Sequence, residues 1–165
     1  MDVFEAIKGR RSIRKYKKNE VIDKKILEEI VDAGKYAASA RAEYPWKFVV
    51  ITSNDRLKQL AEITGSNGRF IADASAAIVV ICKDTKYYLE DGSAAIQNIL
   101  LAAYAKGIGT CWVAGDKKEY CDRVLSFINA PKGYKLINII ACGIPDEKPE
   151  KPKPPLKDIL VWEKF

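Results

Sequence analysis

Between residues 10 and 14 the chain reads Arg-Arg-Ser-Ile-Arg, which sets three guanidinium groups and one hydroxyl within five positions. A guanidinium fork matches two phosphate oxygens at once, and a serine hydroxyl completes such a cradle. Arg10, Arg11, Ser12 and Arg14 are therefore candidate ligands of an anion. The alternative is a solvated charge run where a short helix ends, a place where cations are mildly favourable. A second segment, Ala38 to Phe48, runs Ala-Ser-Ala-Arg-Ala-Glu-Tyr-Pro-Trp-Lys-Phe. Its small side chains would let backbone N–H and C=O groups approach a flat ligand. Equally, it would serve as a connector from a helix to a strand with a core tryptophan. A third, Lys106-Gly-Ile-Gly-Thr-Cys-Trp-Val-Ala-Gly115, has its glycines after a helix and before a strand. That is the reverse of the dinucleotide-binding order, so the Gly-x-Gly pair reads first as a helix stop.

What the chain lacks narrows the chemistry further. It has no histidine, which excludes Ser-His-Asp and Cys-His sites and any histidine-ligated metal. The four cysteines, Cys82, Cys111, Cys121 and Cys142, show no CxxC spacing, so neither a zinc site nor a thioredoxin-like motif is indicated. Reduced, mostly buried thiols point to a reducing, cytoplasmic compartment. The N-terminal stretch lacks the basic-then-apolar pattern of a signal peptide, and the longest apolar runs are only strand-length. If the protein is an enzyme, a cofactor should carry the reaction while the chain orients it. The net charge of +6 favours anionic partners without choosing between nucleic acid, lipid and a phosphorylated small molecule.

The elements that must position these segments follow from capping and periodicity. Asp2, with Glu5 three residues on, opens a helix over 2–8 by a capping box. Asp23 caps a second, in which Ile26, Leu27, Ile30 and Val31 recur at helical spacing. The apolar runs 46–52, 76–82 and 136–142 read as buried strands, with a shorter strand over 110–114. Helices are expected over 55–63, over 91–106 and from an Asp116–Glu119 cap to about residue 129. The 91–106 helix is apolar nearly all round, so it must be covered on most sides. Gly107 is its expected stop. The 165 residues make one domain, 1–165. Its tail, 143–165, holds five prolines and should be an extended arm. The arm ends in Ile159-Leu-Val-Trp162 and Phe165, an apolar tip that needs somewhere to dock.

Taken together, four stretches resemble the nitroreductase family. They are the opening helix with Arg-Arg-Ser-Ile-Arg-Lys-Tyr, Ser-Ala-Arg-x-x-x-Pro-Trp-Lys-Phe-Val-Val, Ala-Ala-x-Gln-Asn-Ile-Leu-Leu-Ala-Ala-x-x-x-Gly-Ile-Gly-Thr-Cys-Trp, and the closing Lys-Pro-x-Pro-Pro-Leu-x-x-Ile-Leu-x-Trp. Each is weak alone. Four in register along nearly the whole chain are specific. The resemblance implies an α+β fold of three layers, α/β/α, around a mixed, largely antiparallel sheet. It implies a homodimer with FMN at the subunit interface, built largely by the long helix and the arm. It places Arg10, Arg11, Ser12 and Arg14 at the FMN phosphate, ribityl chain and pyrimidine edge. Ser39, Ala40 and Arg41 are expected to approach the ring from the partner subunit. Thr110, Cys111, Trp112 and Val113 should line the flavin through backbone contacts, and Lys153 stands where the family often has a phosphate-binding arginine. Two departures stand out: Ala42 and Tyr44 occupy positions where the family commonly has Asn and Gln, which removes two amides near the flavin.

The activity so implied is hydride transfer from NAD(P)H through FMN to a nitroaromatic, quinone or similar acceptor. No catalytic side chain and no metal is called for, and neither nucleic acid nor membrane is an expected partner. Two alternatives remain: a same-fold flavoenzyme with another reaction, such as reductive dehalogenation, and a basic nucleic-acid-binding module built on the first 18 residues. The second lacks a recognisable nucleic-acid-binding motif.

Overall fold

The computed structural model describes residues 1–165. Its elements in chain order are α1 (Val3–Gly9), α2 (Lys24–Gly34), β1 (Trp46–Ile51), α3 (Asn54–Thr64), β2 (Ala76–Lys83), α4 (Tyr88–Ala105), β3 (Gly109–Ala114), α5 (Cys121–Phe127) and β4 (Tyr134–Gly143). The caps expected at the first two helices are present. Asp2 accepts from the N–H of Phe4 at 2.6 Å and of Glu5 at 3.0 Å, while Glu5 reaches back to the N–H of Asp2 at 2.9 Å. Asp23 accepts from the N–H of Lys25 at 2.7 Å. The Asp116 cap is not formed. The helix begins only at Cys121, and Asp116 instead accepts from the Tyr88 hydroxyl at 3.0 Å. A capping residue must stand directly before its helix, and Asp116 stands four residues ahead of the N-cap position, Tyr120.

The four strands lie in the order β1-β2-β4-β3, and every neighbouring pair is antiparallel. The expected mixed sheet is therefore antiparallel throughout. Its physical reason is a split crossover: β2, α4 and β3 make a unit with parallel ends, and β4 slots between the two strands. The parallel relation survives, but not between neighbours. The one parallel pairing recorded is the isolated bridge between Ser12 and Thr110.

Helices cover both faces. On one, α2 and α4 pack Leu27, Ile30, Ile96 and Ile99 against Ile78, Val80 and Ile140. On the other, α3 and α5 pack Leu57, Leu60 and Val124 against Val79 and Ile139. The central strands β2 and β4 are buried almost end to end. β1 is not: Lys47 and Val50 are exposed, because it is an edge strand with only β2 beside it. A continuous apolar run does not by itself separate a central strand from an edge one.

Two further expectations meet the structure differently. α4 starts three residues before Asp91. It buries Asp91, Gly92, Ala95, Ile96, Ile99, Leu100 and Ala103, but Gln97 is exposed and Ala94, Leu101 and Ala102 are half-buried. A single chain thus covers one side of this helix rather than most of it. The arm has no helix or strand beyond a 3-10 turn at Leu156–Asp158, and every residue from 151 onward is exposed.

Candidate functional site

The basic segment is held as an extended strip between two neighbours. On one side Ser12 bridges Thr110 of β3, and the N–H of Ile13 donates to the Thr110 carbonyl at 2.9 Å. On the other, Tyr16 bridges Pro145, the N–H of Lys17 donates to the Ile144 carbonyl, and the N–H of Asp146 donates to the Lys15 carbonyl, both at 2.9 Å. Glu147 adds a carboxylate that accepts from the N–H groups of Arg14 (2.5 Å) and Lys15 (3.0 Å). Two side chains, Ile13 and Tyr16, anchor the strip in the core that α3 and α5 cover. Two glycines make room for them. A Cβ on Gly109 would lie 3.0 Å from Ile13, and one on Gly143 would lie 2.6 Å from the Tyr16 ring. Since Gly109 and Gly143 face each other across β3 and β4, the opening is shared. This divides the Gly-Ile-Gly motif. Gly107, at φ +75°, stops α4, and the N–H of Ile108 closes the stop on the Ala103 carbonyl at 2.9 Å. Gly109 permits close approach.

The strip brings Arg10, Ser12 and Arg14 around the Cys111 thiol. Burial pushes that thiol up from its ordinary pKa, and nearby Arg14, Ser12 and Arg10 oppose the shift; the thiol itself donates to the Trp112 carbonyl at 3.7 Å. The Arg10 guanidinium is held below its usual value by burial and then by neighbouring Arg11. Each of the five ion pairs uses a lysine, so Arg10, Arg11, Arg14 and Arg41 have no carboxylate within 4.0 Å. A half-buried, crowded cation without a counter-charge favours an anion beside it. Arg11 is separate from this group. Its guanidinium donates to the carbonyls of Lys8 at 2.7 Å and Arg10 at 2.9 Å, which closes the end of α1. The Arg14 guanidinium lies 5.8 Å from the centre of the Phe70 ring.

The β3 residues divide by face. Thr110 and Trp112 stand opposite Cys142 and Ile140 on the α4 side, while Cys111 and Val113 stand opposite Ala141 and Ile139 on the other. Only the backbone edge of β3 can present all four to one ligand. The Thr110 hydroxyl is buried and has no partner.

The 39–44 loop is built differently. Asp91, on α4, is 4% exposed and accepts from the Ser39 hydroxyl at 2.7 Å and the Ala40 N–H at 3.0 Å. The Ser39 oxygen in turn accepts from the N–H of Tyr44 at 2.9 Å. Arg41, Ala42 and Tyr44 hold φ of +56°, +55° and +45°. Each such residue costs on the order of 1 kcal/mol relative to glycine. The Tyr44 ring meets Trp46 edge-on at 5.7 Å. The loop's hydrogen bonds run to α4 and within itself, none to the basic strip. Lys153 lies exposed in the arm.

Asp91, Glu147, Phe70 and Tyr16 are the participants that sequence reasoning passed over. Asp91 carried one signal, a carboxylate that stands with Glu90 in the first turn of an otherwise largely apolar helix. Glu147 is indistinguishable among the charges of the arm. One surface groove, about 1170 Å³, runs along α2 and β1 and touches the basic strip only at its end, Lys17. A smaller one of about 360 Å³ borders Arg10, Arg11, Thr110, Tyr104 and Glu147. No group of three His, Cys, Asp or Glu residues could hold a metal ion, and no helix is long and apolar enough to cross a membrane.

Comparison with known proteins gives concordant results. The family model described as "Nitroreductase family" matches residues 7–79 and 66–144. A protein of Methanothermobacter thermautotrophicus named "Putative NADH dehydrogenase/NAD(P)H nitroreductase" is 37% identical over 158 residues, covering 90% of this chain and 80% of the relative. A crystal structure from Bacteroides thetaiotaomicron, of a protein given the same name, superposes with a TM-score of 0.91 at 30% identity and 98% coverage of both chains. An "FMN-dependent Nitroreductase" from Clostridium difficile R20291 superposes at 0.87 with 30% identity, covering 98% of this chain and 99% of that one.

Proposed function

The chain belongs to the nitroreductase family, and on that premise we propose that it is an NAD(P)H-dependent, FMN-binding oxidoreductase acting on a nitroaromatic, quinone or similar acceptor. The observation that carries the reading is Arg10, a half-buried guanidinium beside Arg11 with no carboxylate partner.

The residues present fit the cofactor. FMN offers a dianionic phosphate, a hydroxylated chain and a flat ring. Arg10 and Ser12 supply a fork and a hydroxyl for the phosphate, and the unpartnered Thr110 hydroxyl lies beside them on β3. Arg14 is the cation for the pyrimidine edge, where negative charge collects on reduction. Backbone groups of Cys111, Trp112 and Val113, and Ser39, Ala40 and Arg41 from the partner, complete the set, with Lys153 as a further phosphate ligand. Bound FMN would supply the hydride chemistry between NAD(P)H and the acceptor. The chain's own contribution is to bind, orient and exclude water, and this asks for no proton-transferring side chain in the first half of the cycle.

The reading includes a homodimer. α1 leaves Val3, Phe4 and Ile7 exposed, the arm leaves Ile159, Leu160, Val161, Trp162 and Phe165 exposed, and the groove beside β1 offers a surface for a crossing arm. Burying each of those side chains contributes on the order of 1.5–3 kcal/mol before the cost of ordering the arm.

Absorbance of the purified protein, with sedimentation, tests the proposal. The expected result is a yellow dimer, bleached by NADH or NADPH and reoxidised by a nitroaromatic or quinone. Halogenated aromatics in the same acceptor screen separate dehalogenation. A protein that stays colourless on titration with FMN overturns the reading.

A further inference from the structure

We propose that Asp91 is a positioning residue, whose two carboxylate oxygens fix the 39–44 loop and so place Arg41 and Tyr44 for the flavin and its acceptor. The proposal rests on the functional reading above for what the loop faces, and on the structure for how the loop is held.

Asp91 lies in the first turns of α4 and is buried, yet no lysine or arginine pairs with it. Each of its oxygens instead takes one hydrogen bond from the loop, Oδ2 from the Ser39 hydroxyl and Oδ1 from the Ala40 N–H. An ionised carboxylate only accepts, so it commits the single hydroxyl proton of Ser39 to itself. The lone pairs of that hydroxyl are then free for the N–H of Tyr44, which donates to them at 2.9 Å. One carboxylate thus orders both ends of a six-residue loop, directly at its start and through Ser39 at its close.

The loop has little else to hold it. Between Ala38 and Tyr44 no side chain is buried; burial resumes at Pro45 and Trp46. Arg41, Ala42 and Tyr44 all sit in the left-handed region, which glycine adopts without strain and these residues do not. Residues of this kind keep such a conformation when their surroundings impose it. Asp91 is the group outside the loop that does so. The loop's two exposed functional side chains, Arg41 and Tyr44, are therefore placed by a residue that touches neither.

Hydrogen exchange of the dimeric protein, read with FMN titration and steady-state kinetics, tests this. In Asp91→Ala the Ala40 and Tyr44 amides should exchange about tenfold faster or more, the factor implied by losing a hydrogen bond to a charged group. Amides of β2 and β4 should keep their wild-type rates. KM for the acceptor should rise about tenfold, with a smaller change in kcat, and the visible circular dichroism of bound flavin should change. Asp91→Asn, which keeps one acceptor, should recover part of each effect. Ser39→Ala, the variant to read if Asp91→Ala does not fold, should speed Tyr44 exchange while Ala40 stays protected. If the wild type binds flavin while Asp91→Ala matches it in loop exchange and flavin affinity, the assignment is overturned on its own. The same holds if Ser39→Ala leaves Tyr44 exchange slow. A wild type that takes up no flavin overturns the functional reading and the loop's role in it, whereas the exchange rates still decide whether Asp91 holds the loop.

Discussion

The basic strip at residues 10–17 and the loop at 39–44 carry most of the candidate site, and they are held in opposite ways. The strip is stitched by main-chain hydrogen bonds on both edges and pinned by two core side chains, Ile13 and Tyr16. The loop has no buried side chain of its own and hangs on one carboxylate from another element. Backbone bonds survive most side-chain changes, so the strip tolerates substitution wherever its neighbours remain. The loop does not share its load, and a change at Asp91 reaches all of it. The difference suits the two proposed tasks, a fixed anchor for a phosphate and an adjustable wall for the acceptor.

Removing a whole neighbour should have the largest effect. Truncation after Asp146 deletes Glu147 under the strip together with the apolar tip of the arm. We expect dimer and bound flavin to be lost together, read by sedimentation and by absorbance; an intact, fully yellow dimer would show that the arm does not hold the interface. Next comes Gly143→Ala, whose new Cβ would stand 2.6 Å from the Tyr16 ring. It should cost about 1–3 kcal/mol in a denaturant titration and weaken flavin binding as the strip shifts. Unchanged values in both would mean that the strip is looser than its ladder suggests.

Within the strip, Arg10→Ala should weaken FMN binding by about 1.5–3 kcal/mol. Arg11→Ala should instead cost about 1 kcal/mol of stability, because its guanidinium closes α1, with little change in flavin affinity. Equal losses of affinity for the two would merge roles that the geometry separates.

The smallest effects belong to the thiols. Burial pushes Cys82 and Cys142 up to about 12, whereas an unfolded thiol ionises near about 8.5. Their contribution to stability is complete below about pH 8.5 and is lost as pH rises toward about 12. Alkylation at neutral pH should therefore reach Cys121, the least buried of the four, first. Cys111→Ser should keep its flavin, and EDTA should leave turnover unchanged. Activity lost to the chelator and restored by a divalent ion would overturn a mechanism resting on the cofactor alone.

How much of this was legible depended on whether the physics was local. The α1 and α2 caps, the stop at Gly107 and the apolar periods are contained within a few residues, and they read directly from the chain. The family resemblance drew on spacing and was likewise readable. The Asp116 cap failed because the same residue types form a cap only if the helix starts beside them. Arg11 looked equivalent to Arg10 because both carry a guanidinium; only the course of α1 brings the Lys8 and Arg10 carbonyls within reach of Arg11.

By itself the sequence determined the element types, the absence of histidine chemistry, the concentration of charge at residues 10–14 and the extended arm, because composition, capping and proline geometry act over short distances. The tertiary structure alone decided that β4 separates β2 from β3, that β1 is an edge, that Gly109 and Gly143 open a path for Ile13 and Tyr16, and that Asp91 reaches across 52 positions to hold Ser39. Each of these depends on which distant segments become neighbours, a matter settled by packing the whole chain around its two cores.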